Sequence, residues 1–166
     1  MKSTPVPSQK MREEVVLRPH ASFEIPPKFL VGCNATDRSS RLAAASKVAT
    51  RLAADLAEKG YSVSKVGPGS GGGAGFSCRL NRDCEVTVHL GLEQQEGDAV
   101  RFYLLSWQTS SFLRRVFRGG VKSLPDCDQR WNDLCCTMNE IFVKSFESTS
   151  VVWRTEGEER KAARLS

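Results

Sequence analysis

The sequence lacks the long apolar runs that mark membrane proteins. No stretch of its 166 residues approaches the ~18–20 consecutive apolar residues that a transmembrane helix needs. The opening residues, Met1 to Pro7, also lack the apolar segment of a secretory signal peptide. We therefore expect no transmembrane segment and a cytoplasmic location.

Groups that carry catalysis and metal binding are also scarce. The chain has two histidines, His20 and His89, and its six cysteines include no Cys-x-x-Cys pair. Glu85 shares the predicted strand of His89 but is about 13 Å from it at ~3.3 Å per residue, too far for a hydrogen bond. We therefore interpret His89 as a solvated surface histidine and predict no catalytic, metal-binding or cofactor-binding residue. An enzyme is the less favoured class, because candidates for general acid–base chemistry are so few.

The glycine-rich stretch does not complete a nucleotide-binding loop. Gly67, Gly69 and Gly72 have the spacing G-x-G-x-x-G. The dinucleotide fingerprint requires a helix next, so that the helix N-terminus can meet the phosphates. Here a predicted strand follows instead. We interpret residues 67–75 as a flexible connection between two strands, and whether it binds a ligand is left open.

The cysteines mostly occupy the apolar phases of predicted strands and helices. They are Cys33, Cys78, Cys84, Cys127, Cys135 and Cys136. A chain of this length does not need disulfides to hold a core together. Hairpin parity sets Cys78 opposite Val86 and Leu80 opposite Cys84, which leaves the two cysteines as diagonal neighbours. We predict that all six thiols are reduced.

What the sequence does contain is a strong strand pattern between Phe76 and Trp107. From Cys84 to Leu90 every even-numbered residue is apolar and every odd-numbered one is polar. That is the period of a strand with one buried face. Similar runs begin at Phe76 and at Val100. The three runs predict an antiparallel β-meander whose even-numbered side chains face the core.

Two amphipathic helices flank the meander. The first has apolar residues at helical spacing from Leu42 to Leu56 and ends near Gly60, a residue favoured after helix C-termini. The second begins near Asp126 and carries its apolar stripe to Phe146. With short strands before the meander and at the end, the predicted order is α-β-β-β-β-α-β. This order predicts an α+β fold, a two-layer sandwich in which both helices cover one face of the antiparallel sheet.

The chain divides into three parts. Residues 1–36 hold most of the prolines and no sustained periodicity, so we predict a disordered or extended N-terminal arm. Residues 37–154 are predicted to form a single α+β domain. Residues 155–166 are charged and lack aromatic side chains, which predicts a flexible C-terminal tail.

One surface patch is a candidate binding site. On the odd-numbered face of the sheet, which we expect to face solvent, Tyr103, Leu105 and Trp107 interrupt an otherwise polar pattern. An apolar patch with a polar rim is typical of protein-binding surfaces. We therefore predict a small non-enzymatic binding or adaptor domain that contacts another protein.

The alternative is an anion-binding module that uses the basic connector, residues 112–122. The net charge of the chain is +5, and this connector contains basic residues but no acidic one. The basic residues are Arg114, Arg115, Arg118 and Lys122. If the connector is helical, its basic and apolar side chains fall on opposite sides, as in segments that bind nucleic acid or an anionic membrane surface. A short helix that merely covers a sheet edge is the other interpretation of the same pattern.

Overall fold

The computed structural model describes residues 16–30, 38–96, 99–109 and 125–165. The elements in chain order are β1 (His20–Ile25), α1 (Arg38–Glu58), β2 (Ser62–Val63), β3 (Gly67–Pro68), β4 (Ala74–Asn81), β5 (Cys84–Glu96), β6 (Ala99–Gln108), α2 (Pro125–Lys144), β7 (Val151–Arg154) and α3 (Glu156–Leu165). Short 3-10 turns span Pro27–Leu30 and Ser70–Gly72. The predicted fold class, α+β with an antiparallel sheet, is confirmed.

The strands form one seven-stranded sheet in the order β2-β4-β5-β6-β1-β7, and β3 also pairs with β4. All of these pairs are antiparallel. Strands β4, β5 and β6 are the meander predicted between Phe76 and Trp107. Its even-numbered residues Phe76, Val88 and Phe102 are buried, as the alternation predicted.

Strand β1 corrects both the predicted N-terminal arm and the predicted element order. It lies between β6 and β7 and pairs with both, so that Phe23 is opposite Phe102 on one side and Val151 on the other. Phe23 and Ile25 are fully buried. Part of the predicted arm is therefore a central strand of the domain. The apolar alternation of Ala21, Phe23 and Ile25 was visible in the sequence, but it is short and ends at a pair of prolines.

Helices α1 and α2 bury the apolar stripes that the sequence predicted. Leu52 of α1 and Leu134 of α2 are fully buried and belong to the same hydrophobic core as the inward-facing strand residues. After α1, Gly60 has a φ of 93°, the left-handed conformation in which glycine is favoured at helix ends. Among the helices that the structure describes, none is long and apolar enough to cross a membrane.

Aromatic side chains join α2 to the middle of the sheet. The rings of Phe23 and Phe142 stack with their centroids 4.0 Å apart. Trp131 donates its indole N–H to the Oγ of Ser106 over 2.9 Å, and both residues are buried. Because a buried polar atom without a partner is costly, this hydrogen bond sets the position of α2 against β6.

The cysteine prediction is partly wrong. Cys78 is opposite Val86, as parity predicted, but a register shift after Arg79 puts Asn81 rather than Leu80 opposite Cys84. Cys84 forms a disulfide with Cys127 at the start of α2, with the two Cα atoms 5.6 Å apart. Cys78, Cys135 and Cys136 are free thiols, and Cys33 lies outside the described residues. The shifted hairpin end and the helix packing bring together two residues that are 43 positions apart in the chain.

The C-terminal segment also differs from the prediction. Residues Glu156–Leu165, expected to be part of a flexible tail, form α3. The helix begins with a capping box: the Oγ1 of Thr155 accepts the N–H of Glu158, and the Glu158 carboxylate accepts the N–H of Thr155. Glu156 contacts His20 of β1 with an Nε2 to Oε2 distance of 2.7 Å. Because α3 has no buried residue, these polar contacts hold it in place.

Candidate functional site

The predicted surface patch lies on the outer face of the sheet, opposite the helices. Tyr103, Leu105 and Trp107 alternate along β6 with the buried residues Phe102 and Leu104. The side chain of Trp107 is exposed, with 41% of the residue surface accessible, whereas Tyr103 and Leu105 are half-buried. Trp107 is therefore the member of the patch that is most open to a partner.

Tyr103 is half-buried because its ring lies over a glycine of the neighbouring strand. Gly91 is opposite Tyr103 in the register, and a Cβ on Gly91 would lie 2.4 Å from the Cζ and Oη of the tyrosine. Only a residue without a side chain leaves room for the ring. The ring centroid of Tyr103 is also 5.9 Å from that of His89. Tyr103 thus contributes mainly to the packing of the outer face.

The interpretation of His89 as a solvated surface histidine is wrong. His89 is 8% exposed, because the glycine-rich loop folds over its ring. A Cβ on Gly69 or on Gly73 would come within 2.5 Å of its Nε2. Burial lowers the pKa of His89, and a hydrogen bond with the backbone of Ser70 acts in the opposite direction. Among the described residues its buried Nε2 has no hydrogen-bond partner.

Two rows of residues across the sheet explain how a groove forms beside this loop. In one row, Gly75 is opposite His89, and the loop lies against the ring of His89. In the next row, Ser77, Thr87 and Trp107 are opposite one another on β4, β5 and β6. The hydroxyl groups of Ser77 and Thr87 in this second row hydrogen-bond each other. Together with the Trp107 indole they line a depression beside the loop.

We call the resulting depression the Trp107 groove. It has a volume of about 440 Å³ and lies between the glycine-rich loop and the Trp107 indole. Its lining residues are Ser64, Lys65, Gly67, Pro68, Gly69, Ser70, Gly75, Phe76, Ser77, Thr87, His89 and Trp107. The edge is fixed by two hydrogen bonds of 2.8 Å, from the Ser64 N–H to the Ser77 carbonyl and from the Ser77 N–H to the Ser64 Oγ. The groove therefore has one aromatic wall and a floor of hydroxyl groups.

Charges elsewhere on the outer face are largely paired. Arg79 contacts Glu85 at 3.6 Å, Arg101 contacts Glu24 at 2.6 Å, and Arg154 contacts Glu159 at 3.4 Å. These pairs are exposed or half-exposed, so each contributes little to stability. Their effect is on the surface potential, since each arginine is neutralised by a neighbour.

The described residues offer few groups for catalysis. No group of three or more His, Cys, Asp or Glu among them could hold a metal ion. Burial raises the pKa of Cys78 to about 11 and that of Cys135 to about 12, so both thiols are protonated and unreactive at neutral pH. The glycine spacing of residues 67–72 is followed by strand β4 and not by a helix, which removes the N-terminal dipole that a dinucleotide site requires.

The basic connector, residues 112–122, lies outside the described residues, as do Arg114, Arg115, Arg118 and Lys122. The predicted binding of nucleic acid or an anionic membrane surface through this connector stays a prediction.

Sequence reasoning missed the Trp107 groove because the loop that forms its wall carries almost no side chains. The alternation in β4 to β6 predicted which residues face outward, but not that the loop turns back over His89. The nearest signal was the presence of glycine at two outward-facing strand positions, Gly75 and Gly91. Glycine inside a strand often marks a place where another segment approaches closely.

Comparison with known proteins assigns the chain to no family. No protein-family model matches the chain, and no curated protein or solved structure matches it at a significant level.

Proposed function

We propose that this protein is a small non-enzymatic binding module and that its partner is another protein. The observation that carries the proposal is the exposed indole of Trp107 at the rim of a groove lined by hydroxyl groups. Tryptophan is enriched at the centres of protein interfaces, where its large ring is buried by the partner. On the free chain such a ring exposes apolar surface that association would cover.

The surroundings of Trp107 support the proposal. Leu105 extends the apolar surface along β6, and the ion pairs of Arg79 and Arg101 lie farther out on the same face. An apolar centre with paired charges around it is the usual pattern of a non-obligate protein interface.

A photo-crosslinking experiment tests this proposal. A benzophenone amino acid is placed at Trp107 in the full chain, and in a control variant at Val143, which is 50% exposed on α2 on the other side of the sheet. After irradiation in a lysate of the source cells, we expect a discrete crosslinked product from position 107 and none from position 143. Equal product patterns from the two positions would contradict the proposal, and crosslinks only between two copies of the chain would identify the partner as a second copy.

The cytoplasmic location expected from the sequence remains part of this proposal. The Cys84–Cys127 disulfide argues against this location, because disulfides are rare in proteins of the cytosol. A thiol count on the protein isolated from its natural cells would decide whether the bond forms there.

A further inference from the structure

We infer that the Trp107 groove binds an acidic peptide segment, which places an apolar side chain on the Trp107 indole and a carboxylate at Lys65. The inference rests on the proposed function and specifies the chemistry of the partner. Of the residues that line the groove, Lys65 alone carries a charge at neutral pH when His89 is neutral, and none is acidic. Burial lowers the pKa of His89, so its ring is neutral at neutral pH.

Lys65 is available to such a partner. The residue is exposed, and no carboxylate of a described residue lies within ion-pair distance of its Nζ. This distinguishes it from Arg79, Arg101 and Arg154, each of which has a carboxylate neighbour. A cation without an internal partner beside an apolar surface favours an anionic group on the molecule that covers it.

The shape of the groove favours a peptide. Its volume of about 440 Å³ is large enough for a few residues, and the indole provides a flat surface for one large side chain. The hydroxyl groups of Ser77 and Thr87 line the floor and are hydrogen-bonded to each other, and that of Thr87 also to Thr109. Their remaining lone pairs can accept a hydrogen bond from a peptide N–H.

A nucleic acid fits the outer face less well. Binding a phosphate backbone requires several cations in succession, with aromatic rings on which successive bases stack. On the described outer face the arginines at positions 79, 101 and 154 are each paired with a carboxylate, and Trp107 is the exposed aromatic residue. One lysine and one indole match a short acidic segment better than a strand of phosphates.

The test is selection from a phage-displayed library of random linear peptides on the full chain, with counter-selection on Trp107→Ala. We expect enriched peptides that combine Asp or Glu with an aromatic or large aliphatic residue. In fluorescence anisotropy, Trp107→Ala and Lys65→Glu should each raise the Kd of such a peptide about tenfold or more, as loss of a central contact does. Lys47→Glu, an exposed lysine on α1, is the matched control and should leave the Kd unchanged. Thermal melts of all variants verify that they fold.

The outcomes separate this inference from the proposed function. If the enriched peptides need Trp107 but lack acidic residues, or if Lys65→Glu has no effect, the acidic-peptide inference is overturned while protein binding stands. If no enriched peptide depends on Trp107, the inference is also overturned, and the photo-crosslinking result alone decides the proposed function. A Trp107-dependent affinity for oligo(dT) that exceeds the affinity for every selected peptide would overturn it in favour of single-stranded nucleic acid.

Discussion

The backbone of Gly69 lies directly against the imidazole of His89. A Cβ on Gly69 would be 2.4 Å from both Cδ2 and Nε2 of that ring, a separation that non-bonded carbon and nitrogen atoms do not reach. Gly69 has a φ of −111°, which any residue adopts. The glycine is therefore required by the space available and not by its backbone conformation.

The first prediction follows from this contact. Gly69→Ala should destabilise the protein by about 1–3 kcal/mol, as overpacking does, because the loop or the ring must move. In a His89→Ala background the same substitution should cost much less, since the ring that it meets is gone. Urea unfolding of the four chains measures this coupling. Gly67→Ala is the control, because a Cβ there meets nothing within 4 Å. An equal cost in both backgrounds would show that the loop does not rest on His89.

The second prediction concerns pH. Burial lowers the pKa of His89 below its ordinary value of about 6.5. Between the lowered and the ordinary pKa the unfolded chain binds the proton and the folded chain does not, so the stability rises with pH in that window. The contribution of His89 to the free energy of unfolding should therefore be constant above about pH 6.5. As the pH drops below that value, this contribution and with it the stability should fall. His89→Leu should flatten this part of the profile in urea titrations from neutral to mildly acidic pH. An unchanged slope would mean that the ring is solvated in the folded protein.

The third prediction concerns the disulfide. Reduction of Cys84–Cys127, or a Cys127→Ala substitution, should lower the free energy of unfolding by about 4 kcal/mol, as expected for a bond that closes a loop of this length. Cys136→Ala is the control, because Cys136 is exposed and free. Unfolding with and without dithiothreitol measures the effect. The same number of reactive thiols in the denatured chain before and after reduction would show that the bond is absent.

The fourth prediction concerns the contact between α2 and the sheet. Leu134 is fully buried, so Leu134→Ala should destabilise the protein by about 2–5 kcal/mol. Arg130 is exposed on the other side of the helix, and Arg130→Ala should change the stability by less than about 0.5 kcal/mol. Chemical denaturation of both variants gives the comparison. Equal losses would mean that the helix does not bury the face described.

Much of the fold was predictable because its elements are long and periodic. The stripe that contains Leu52, the stripe that contains Leu134 and the alternation from Cys84 to Leu90 each repeat over several turns or residue pairs, and all three lie as predicted. Strand β1 and helix α3 were missed because each is short. Three apolar residues alternate in β1, and α3 buries none, so neither gives a strong hydrophobic pattern.

The candidate site was predictable only in part. The outward direction of Trp107 follows from the strand period, since the odd-numbered residues of β6 alternate with the buried even-numbered ones. The burial of His89 does not follow, although its position on the same face was correctly predicted. It depends on a loop whose glycines carry no pattern of polarity and whose path is set by contacts with residues far away in the sequence.

By itself, the sequence determined the α+β class, the two long helices, the β-meander and the face on which Trp107 lies. Each of these depends on local periodicity, which the order of residues records directly. Tertiary structure alone decided the insertion of β1 between β6 and β7, the Cys84–Cys127 bond and the groove between the glycine-rich loop and Trp107. These features depend on which distant segments of the chain come into contact, and the packing of the whole core determines that. They also depend on one shift in the register of the β4–β5 hairpin, which no local sequence pattern predicts.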